Sequence, residues 1–268
     1  MTEYEARFNG VARLYGKAGL QRLEQAHVCV IGLGGVGSWA VEALARSGIG
    51  RLTLIDLDEI CVTNVNRQLH ALAGHVGRPK VEVMAERVRG INPQCAVQPI
   101  MEFFTESNAA ALVALRPSAV LDAIDSVANK CRLIALCHKN GIPIVTCGGA
   151  GGRRLATAVR VSDLAQTTHD RLLQRVREGL RKEHGFPPGQ KPFGIDAVHS
   201  AEPPVFPQSD GSVCARREEG STLRLDCESG YGTASFVTGT FGFVAAGCLV
   251  GKLAVGQASN LSRELQPE

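Results

Sequence analysis

Residues 28–40 read VCVIGLGGVGSWA, and the fold turns on them. Val28 to Ile31 are four apolar residues in a row, the mark of a strand buried on both faces. A crowd of glycines follows, and Val36 to Ser47 then has helical spacing. Gly32, Gly34 and Gly37 fit G-x-G-x-x-G between that strand and that helix. Glycines so placed let backbone N–H groups approach phosphate oxygens, and the helix N-terminus adds partial positive charge. Two phosphates fit: the pyrophosphate of a nicotinamide cofactor, or the triphosphate of ATP.

Working outward, strand and helix patterns alternate. Strands are expected at 28–32, 52–56, 96–100, 119–125 and 142–147, and helices at 36–47, 80–90, 107–115 and 127–140. Apolar strands separated by helices predict an α/β, Rossmann-like, mostly parallel sheet with helices on both faces. Beyond "GGAGG" (148–152) the pattern changes. A strand is expected near 158–161, a charged helix over 168–184, a long loop over 185–211, and a β pair from "SVCAR" and "TLRLDC". Residues 231–251 carry no charge, enough for a membrane span by length, but five glycines, three threonines and a serine favour a buried helix beneath a sheet.

The composition is that of a folded soluble protein, 44% hydrophobic and 21% charged over 268 residues. A net charge of +3 permits a polyanionic partner without demanding one. Nine cysteines form no C-x-x-C pair, which argues against structural zinc. The opening residues lack a secretory pattern, so reduced thiols and a cytoplasmic location are expected.

The residues after the second strand decide between the two phosphates. Asp56 ends that strand, where an acid can accept hydrogen bonds from ribose hydroxyls under either reading. "DLDEICVTNVNRQ" (56–68) then supplies Asp58, Asn64, Arg67 and Gln68, and "GRPK" supplies Lys80. A nicotinamide cofactor needs little positive charge there. A triphosphate needs it, to neutralise its outer phosphates and the departing pyrophosphate. "DAID" sets Asp122 and Asp125 at a strand's carboxyl end, where a carboxylate can hold Mg2+.

"GLGGVGS", "DLDEICVTNVNRQ", "GRPK" and "DAID" resemble the adenylating domain of ubiquitin-activating enzymes and their bacterial ThiF-type relatives, which activate a carboxylate as an acyl-adenylate. The resemblance implies that Gly32, Gly34 and Gly35 cradle ATP and that Asp56 binds its ribose, with Asp58 and Gln68 beside it. It implies that Asn64, Arg67 and Lys80 contact phosphates and that Asp125 holds Mg2+. Together, "ARLYG", "VTNVNRQLHAL", "TCGGAGG", "VFPQSDGSVCA" and "GTFGFVA" are similar to the tRNA threonylcarbamoyladenosine dehydratase branch over residues 7–255.

On that reading residues 1–160 form the ATP-binding unit, 161–256 a C-terminal extension of the same fold, and 257–268 a tail. The sulfur-carrier activators of the superfamily open with Arg-Tyr-x-Arg-Gln. Here "RFNGV" keeps Arg7 but has Gly10 at the second arginine, so Arg13 is the substitute, acting within the chain or across a homodimer.

The branch implies a tRNA substrate, and with it a basic surface. Arg171, Arg175, Arg177, Arg181, Lys182 and Lys191 offer one, with Arg153–Arg154 and Arg216–Arg217 as further clusters; a plain solvated helix face is the alternative. Cys227 in "LDCESGYG" is the candidate for a transient thioester, with Cys214 the runner-up and a plain buried thiol the alternative. A monovalent cation (Na+ or K+) in the Gly-rich loop and a cysteine-desulfurase-type partner are optional additions. A carrier-protein C-terminus as acceptor, or a nicotinamide oxidoreductase, stands as the rival activity.

Overall fold

The computed structural model describes residues 2–216 and 231–256. The chain opens on α1 (Glu3–Gln25), for which the sequence reading gave no element. Its start is a capping box: Glu5 N–H donates to Thr2 Oγ1 and Thr2 N–H to the Glu5 carboxylate. Gly16, at φ 74°, breaks it midway.

Strand–helix alternation follows as β1 (His27–Ile31), α2 (Gly37–Arg46), β2 (Arg51–Ile55), α3 (Lys80–Ile91), β3 (Ala96–Ile100), α4 (Ala109–Ala114), β4 (Ala119–Asp122), α5 (Val127–Lys139) and β5 (Ile144–Cys147). Next come β6 (Val159–Asp163), α6 (Arg171–His184), β7 (Asp196–Ser200), the short pair β8 (Phe206–Pro207) and β9 (Val213–Cys214), and α7 (Ser235–Val255).

The main sheet has the order β3-β2-β1-β4-β5-β7-β6, parallel except where β6 runs antiparallel to β7. β1 alternates faces. Val28 and Val30 enter the core beneath α2, α3 and α7, while Cys29 and Ile31 enter the core on the α5–α6 side. Strand order reverses between β1 and β4, and the crevice at their carboxyl ends is where open α/β sheets bind ligands.

Several expectations need correction. The loop expected over 185–211 contains β7, a central strand paired with β5 and β6, because Ala197, Val198, His199 and Ser200 are buried. "SVCAR" does form a strand, but it pairs with Phe206–Pro207; "TLRLDC" lies outside the described residues. The expected division at residue 160 falls inside β6, and the sheet continues across it. The whole tail, 257–268, also lies outside the described residues.

The uncharged stretch is α7, long and apolar enough to cross a membrane by composition, yet packed on α2, α1 and the sheet. Its glycines explain its sequence. A β-carbon at Gly242 would lie 2.5 Å from the Val36 carbonyl oxygen, so the helix can seat on the start of α2 only without one.

α6 carries Leu173, Val176 and Leu180 on its buried face. Asp170 caps its start by accepting from Leu173 N–H at 2.9 Å, and Gly185, at φ 71°, ends it.

Candidate active site

A cavity of about 510 Å³ opens at the carboxyl ends of the central strands. It gathers Gly32, Gly34, Gly35, Asp56, Asp58, Arg67, Gln68, Lys80 and Asp125, residues from five separate chain segments. The three motif glycines are required for different reasons. Gly32 has φ 89°, and a β-carbon there would meet the Ala123 carbonyl oxygen at 2.7 Å. A β-carbon at Gly37 would lie 1.8 Å from the Gly32 carbonyl oxygen. At Gly34 neither constraint applies: a β-carbon would meet nothing within 4 Å and would project into open space. Fold geometry therefore accounts for Gly32 and Gly37 and does not demand a glycine at Gly34.

The Asp56 carboxylate is fixed from both sides. One oxygen accepts from Leu33 N–H in the Gly-rich loop at 2.6 Å, the other from Asp58 N–H at 2.8 Å. Burial pushes this carboxyl above its usual range, and the Lys80 ammonium opposes the shift. Spare lone pairs remain for ribose hydroxyls.

Lys80 is the first residue of α3, where the helix dipole disfavours a cation. It is held there by Asp58, whose Oδ2 lies 2.7 Å from Lys80 Nζ. The lysine side chain is almost wholly buried while Asp58 is half exposed, so an arriving anion can compete for the ammonium.

Arg67 is anchored through its backbone. Its carbonyl accepts from Trp39 Nε1 at 2.9 Å and from Thr238 Oγ1 at 3.3 Å, so α2 and α7 together set its place. Its guanidinium donates to Thr63 O and Asn66 Oδ1, and its Cγ borders Gly35. Gln68 is buried beside it, with Oε1 lacking a partner among the described residues.

Asp125 is exposed on the cavity wall and makes no hydrogen bond or ion pair among the described residues. A free carboxylate of this kind fits the hard-oxygen preference of Mg2+. Asp122 is different. It is wholly buried, 2.8 Å from Lys130 Nζ, and accepts from Thr146 Oγ1 at 2.6 Å. That corrects the expectation that either acid could serve a metal: Asp122 braces the sheet and only Asp125 faces the cavity.

Two expected site residues are not brought in. Asn64 is buried under its own turn, its Oδ1 accepting from Cys61 N–H, and does not line the cavity. Arg13 is exposed on α1 and does not line the cavity of its own chain. Cys227 lies outside the described residues, while Cys214 is exposed on β9.

The expected basic surface is also thinned. Arg153 is 4% exposed and so unavailable to a surface polyanion. Arg177 donates to Thr167 Oγ1, and Arg181 bonds the carbonyls of Pro187 and Gly189 and stacks on Phe193. Arg175, Lys182 and Lys191 are exposed and have no partner among the described residues. Sequence reasoning missed Phe103 and Phe104 after β3, Asn129 at the start of α5, Tyr231 and Thr238, all of which line the cavity. The paired phenylalanines just past a strand were the available signal.

The ThiF family model matches residues 7–186. The tRNA threonylcarbamoyladenosine dehydratase of Escherichia coli K12 is 53% identical over 244 residues, 90% of this chain and 91% of that protein. The enzyme of the same name from Haemophilus influenzae is 49% identical over 93% of this chain and 94% of its own length. The crystal structure of E. coli tRNA N6-threonylcarbamoyladenosine dehydratase in complex with ATP superposes with a TM-score of 0.83 at 47% identity, covering 93% of this chain and 94% of that one. The chain therefore belongs to the ThiF family, among its tRNA threonylcarbamoyladenosine dehydratases.

Proposed function

We infer that this chain uses ATP to dehydrate threonylcarbamoyladenosine in tRNA, closing the threonylcarbamoyl side chain into a ring. The reading is carried by one cavity in which Arg67, Lys80 and Asp125 converge on Gly34, the glycine that neither backbone angle nor packing demands. Relatives named for this activity match the chain nearly end to end.

In the first step the threonyl carboxylate attacks the α-phosphorus of ATP. An acyl O–P bond forms, the bond to the bridging oxygen breaks, and pyrophosphate leaves. Arg67 and Lys80 neutralise the outgoing charge, and the N–H groups of the Gly-rich loop hold the phosphates. Asp125 would hold Mg2+, which when bound screens the phosphate charge. In the second step a nitrogen or oxygen of the carbamoyl group attacks the acyl carbon. The acyl C–O bond breaks, AMP leaves with that oxygen, and the attacking group loses its proton. The net change in the nucleoside is loss of water. Positioning and electrostatics are the protein's contribution, with Asp56 holding the ribose and so setting the α-phosphate in line.

The enzyme works in the cytoplasm as a homodimer. Exposed apolar side chains support the dimer: Phe236 and Phe243 on α7, and Val62 and Val65 on the loop that Asn66 ties to Thr233. In the dimer the phosphate contact of Arg13 is one made across the interface. Arg175, Lys182 and Lys191 contact the tRNA backbone, a salt-dependent attraction. Cys227 forms the acyl thioester where one is formed. A sodium or potassium ion in the Gly-rich loop and a cysteine-desulfurase-type partner complete the assembly.

The test is mass spectrometry of tRNA nucleosides after incubation with the protein and ATP. Loss of 18 Da from threonylcarbamoyladenosine (the mass of one water), with matching pyrophosphate release, is expected on the order of stoichiometrically. Pyrophosphate release stimulated by a carrier protein and not by modified tRNA would overturn the reading.

A further inference from the structure

The cavity extends past the nucleotide cradle. Along the carboxyl edge of the sheet, β2, β1, β4 and β5 present Asp56, Gly34, Asp125 and Gly149 in that order. Neighbouring strands lie about 4.8 Å apart, so the β5 end is roughly 10 Å from the Gly-rich loop. The ribose acid stands at one end, the cradle and its metal-holding acid in the middle. The far end, walled by Gly148, Gly149, Gly151, Leu172 and Tyr231, presents no ionised side chain to the cavity.

That far end is built around Tyr231. A β-carbon at Gly151 would lie 2.9 Å from Tyr231 Cβ, and one at Gly152 would lie 2.8 Å from its ring. Gly152 N–H donates to Gly232 O at 2.8 Å, pinning the chain beside the ring. Phe206 packs against Tyr231 with ring centroids 5.2 Å apart, and the Arg171 guanidinium caps Phe206 at 5.7 Å. Of these groups only Tyr231 lines the cavity; Phe206, tilted at 49° to it, and Arg171 back the ring and fix its place, and an aromatic ring so held is a surface on which a nucleobase can stack without its edge being read.

A further observation points to a ligand. Gly149 has no β-carbon contact within 4 Å and no left-handed φ, so neither fold nor packing demands glycine there. Its N–H is held by Asp170 Oδ2 at 2.8 Å, which fixes its bare face in the cavity wall.

Resting on the reading above, we propose that the β5 end of the cavity is the seat of the acceptor nucleoside: its purine stacks on Tyr231 and lies against the bare backbone at Gly149. Tyr231 and Gly149 then select the acceptor without touching ATP. The geometry sets the threonyl carboxylate over the middle of the cavity, between Gly34 and Asp125.

The test compares Tyr231→Ala, Tyr231→Phe and Gly149→Val, with folding checked by thermal melting. ATP affinity is measured by calorimetry without tRNA, and KM and kcat with tRNA bearing threonylcarbamoyladenosine. Tyr231→Ala and Gly149→Val should raise the KM for tRNA on the order of tenfold to a hundredfold while ATP affinity stays within about twofold. Tyr231→Phe should recover most of the lost affinity. Wild-type KM in both substitutions, or a parallel loss of ATP binding, overturns the seat. A wild-type protein that binds ATP but converts no tRNA overturns the reading beneath it as well, so the two failures are distinguishable.

Discussion

Lys130 reaches from α5 to Asp122 at the end of β4, Nζ to Oδ2 at 2.8 Å, with both side chains wholly buried. The pair is saturated: Asp122 also accepts from Ile124 N–H and Thr146 Oγ1. It locks the strand end that presents Ala123 to Gly32 and Asp125 to the cavity.

Breaking the pair on one side strands a charge. Lys130→Met should cost about 3–5 kcal/mol of stability by urea denaturation, whereas pairing it with Asp122→Leu should return most of that. A single substitution within about 1 kcal/mol of wild type would show that the ion pair does not brace the sheet.

The Gly-rich loop gives a second contrast. Gly37→Ala puts a methyl group 1.8 Å from the Gly32 carbonyl and should destabilise the fold by about 3 kcal/mol or more. Gly34→Ala should fold normally, because its methyl group enters open space, yet weaken ATP on the order of tenfold or more. Calorimetry beside thermal melting checks both. Unchanged ATP affinity in Gly34→Ala would remove the phosphates from that loop.

Chemistry should separate from acyl transfer. Arg67→Ala and Asp125→Ala are expected to lower pyrophosphate exchange on the order of a hundredfold or more. Cys227→Ala should leave exchange intact, since adenylation precedes any thioester. An active Arg67→Ala enzyme would count against the role given to that cation.

His70 makes stability depend on pH. It is 1% exposed with both ring nitrogens unpartnered among the described residues, and burial, aided by the charge of Lys80, pushes its pKa down to about 3 from 6.5. The unfolded chain takes up this proton near pH 6.5 and the native state refuses it until about pH 3. In that window the unfolded state binds more protons, so stability falls as pH falls. Between pH 7 and pH 5 the wild type should lose about 2 kcal/mol more than His70→Leu in urea titrations. Equal losses would show that His70 is not held neutral.

The nucleotide end of the site was legible in the chain because its parts are local. β1, the glycines and the start of α2 are consecutive, and Asp56, Arg67 and Lys80 follow within one β–α passage. A strand's apolar run and a helix's spacing record burial directly, so the alternation to β5 is readable. α1 was missed although its capping box stands in "TEYE" and Tyr4, Phe8, Val11 and Tyr15 follow at helical spacing, because polar and charged residues outnumber them and Gly10 and Gly16 interrupt the pattern. β7 was missed because its polar His199 and Ser200 are buried only once β5 and β6 flank them.

By itself the sequence determined the strand–helix alternation from β1 to β5 and pointed to the Gly-rich loop, Asp56, Arg67, Lys80 and Asp125, which line one cavity. Only the tertiary structure decided which acid faces the cavity and which is neutralised by Lys130, that Arg153 is buried while Arg175 is exposed, and that Tyr231 closes the end opposite Asp56. Local sequence fixes backbone conformation and periodicity. Which side chains are stripped of water, and which distant segments share one cavity, depends on the packing of the whole sheet.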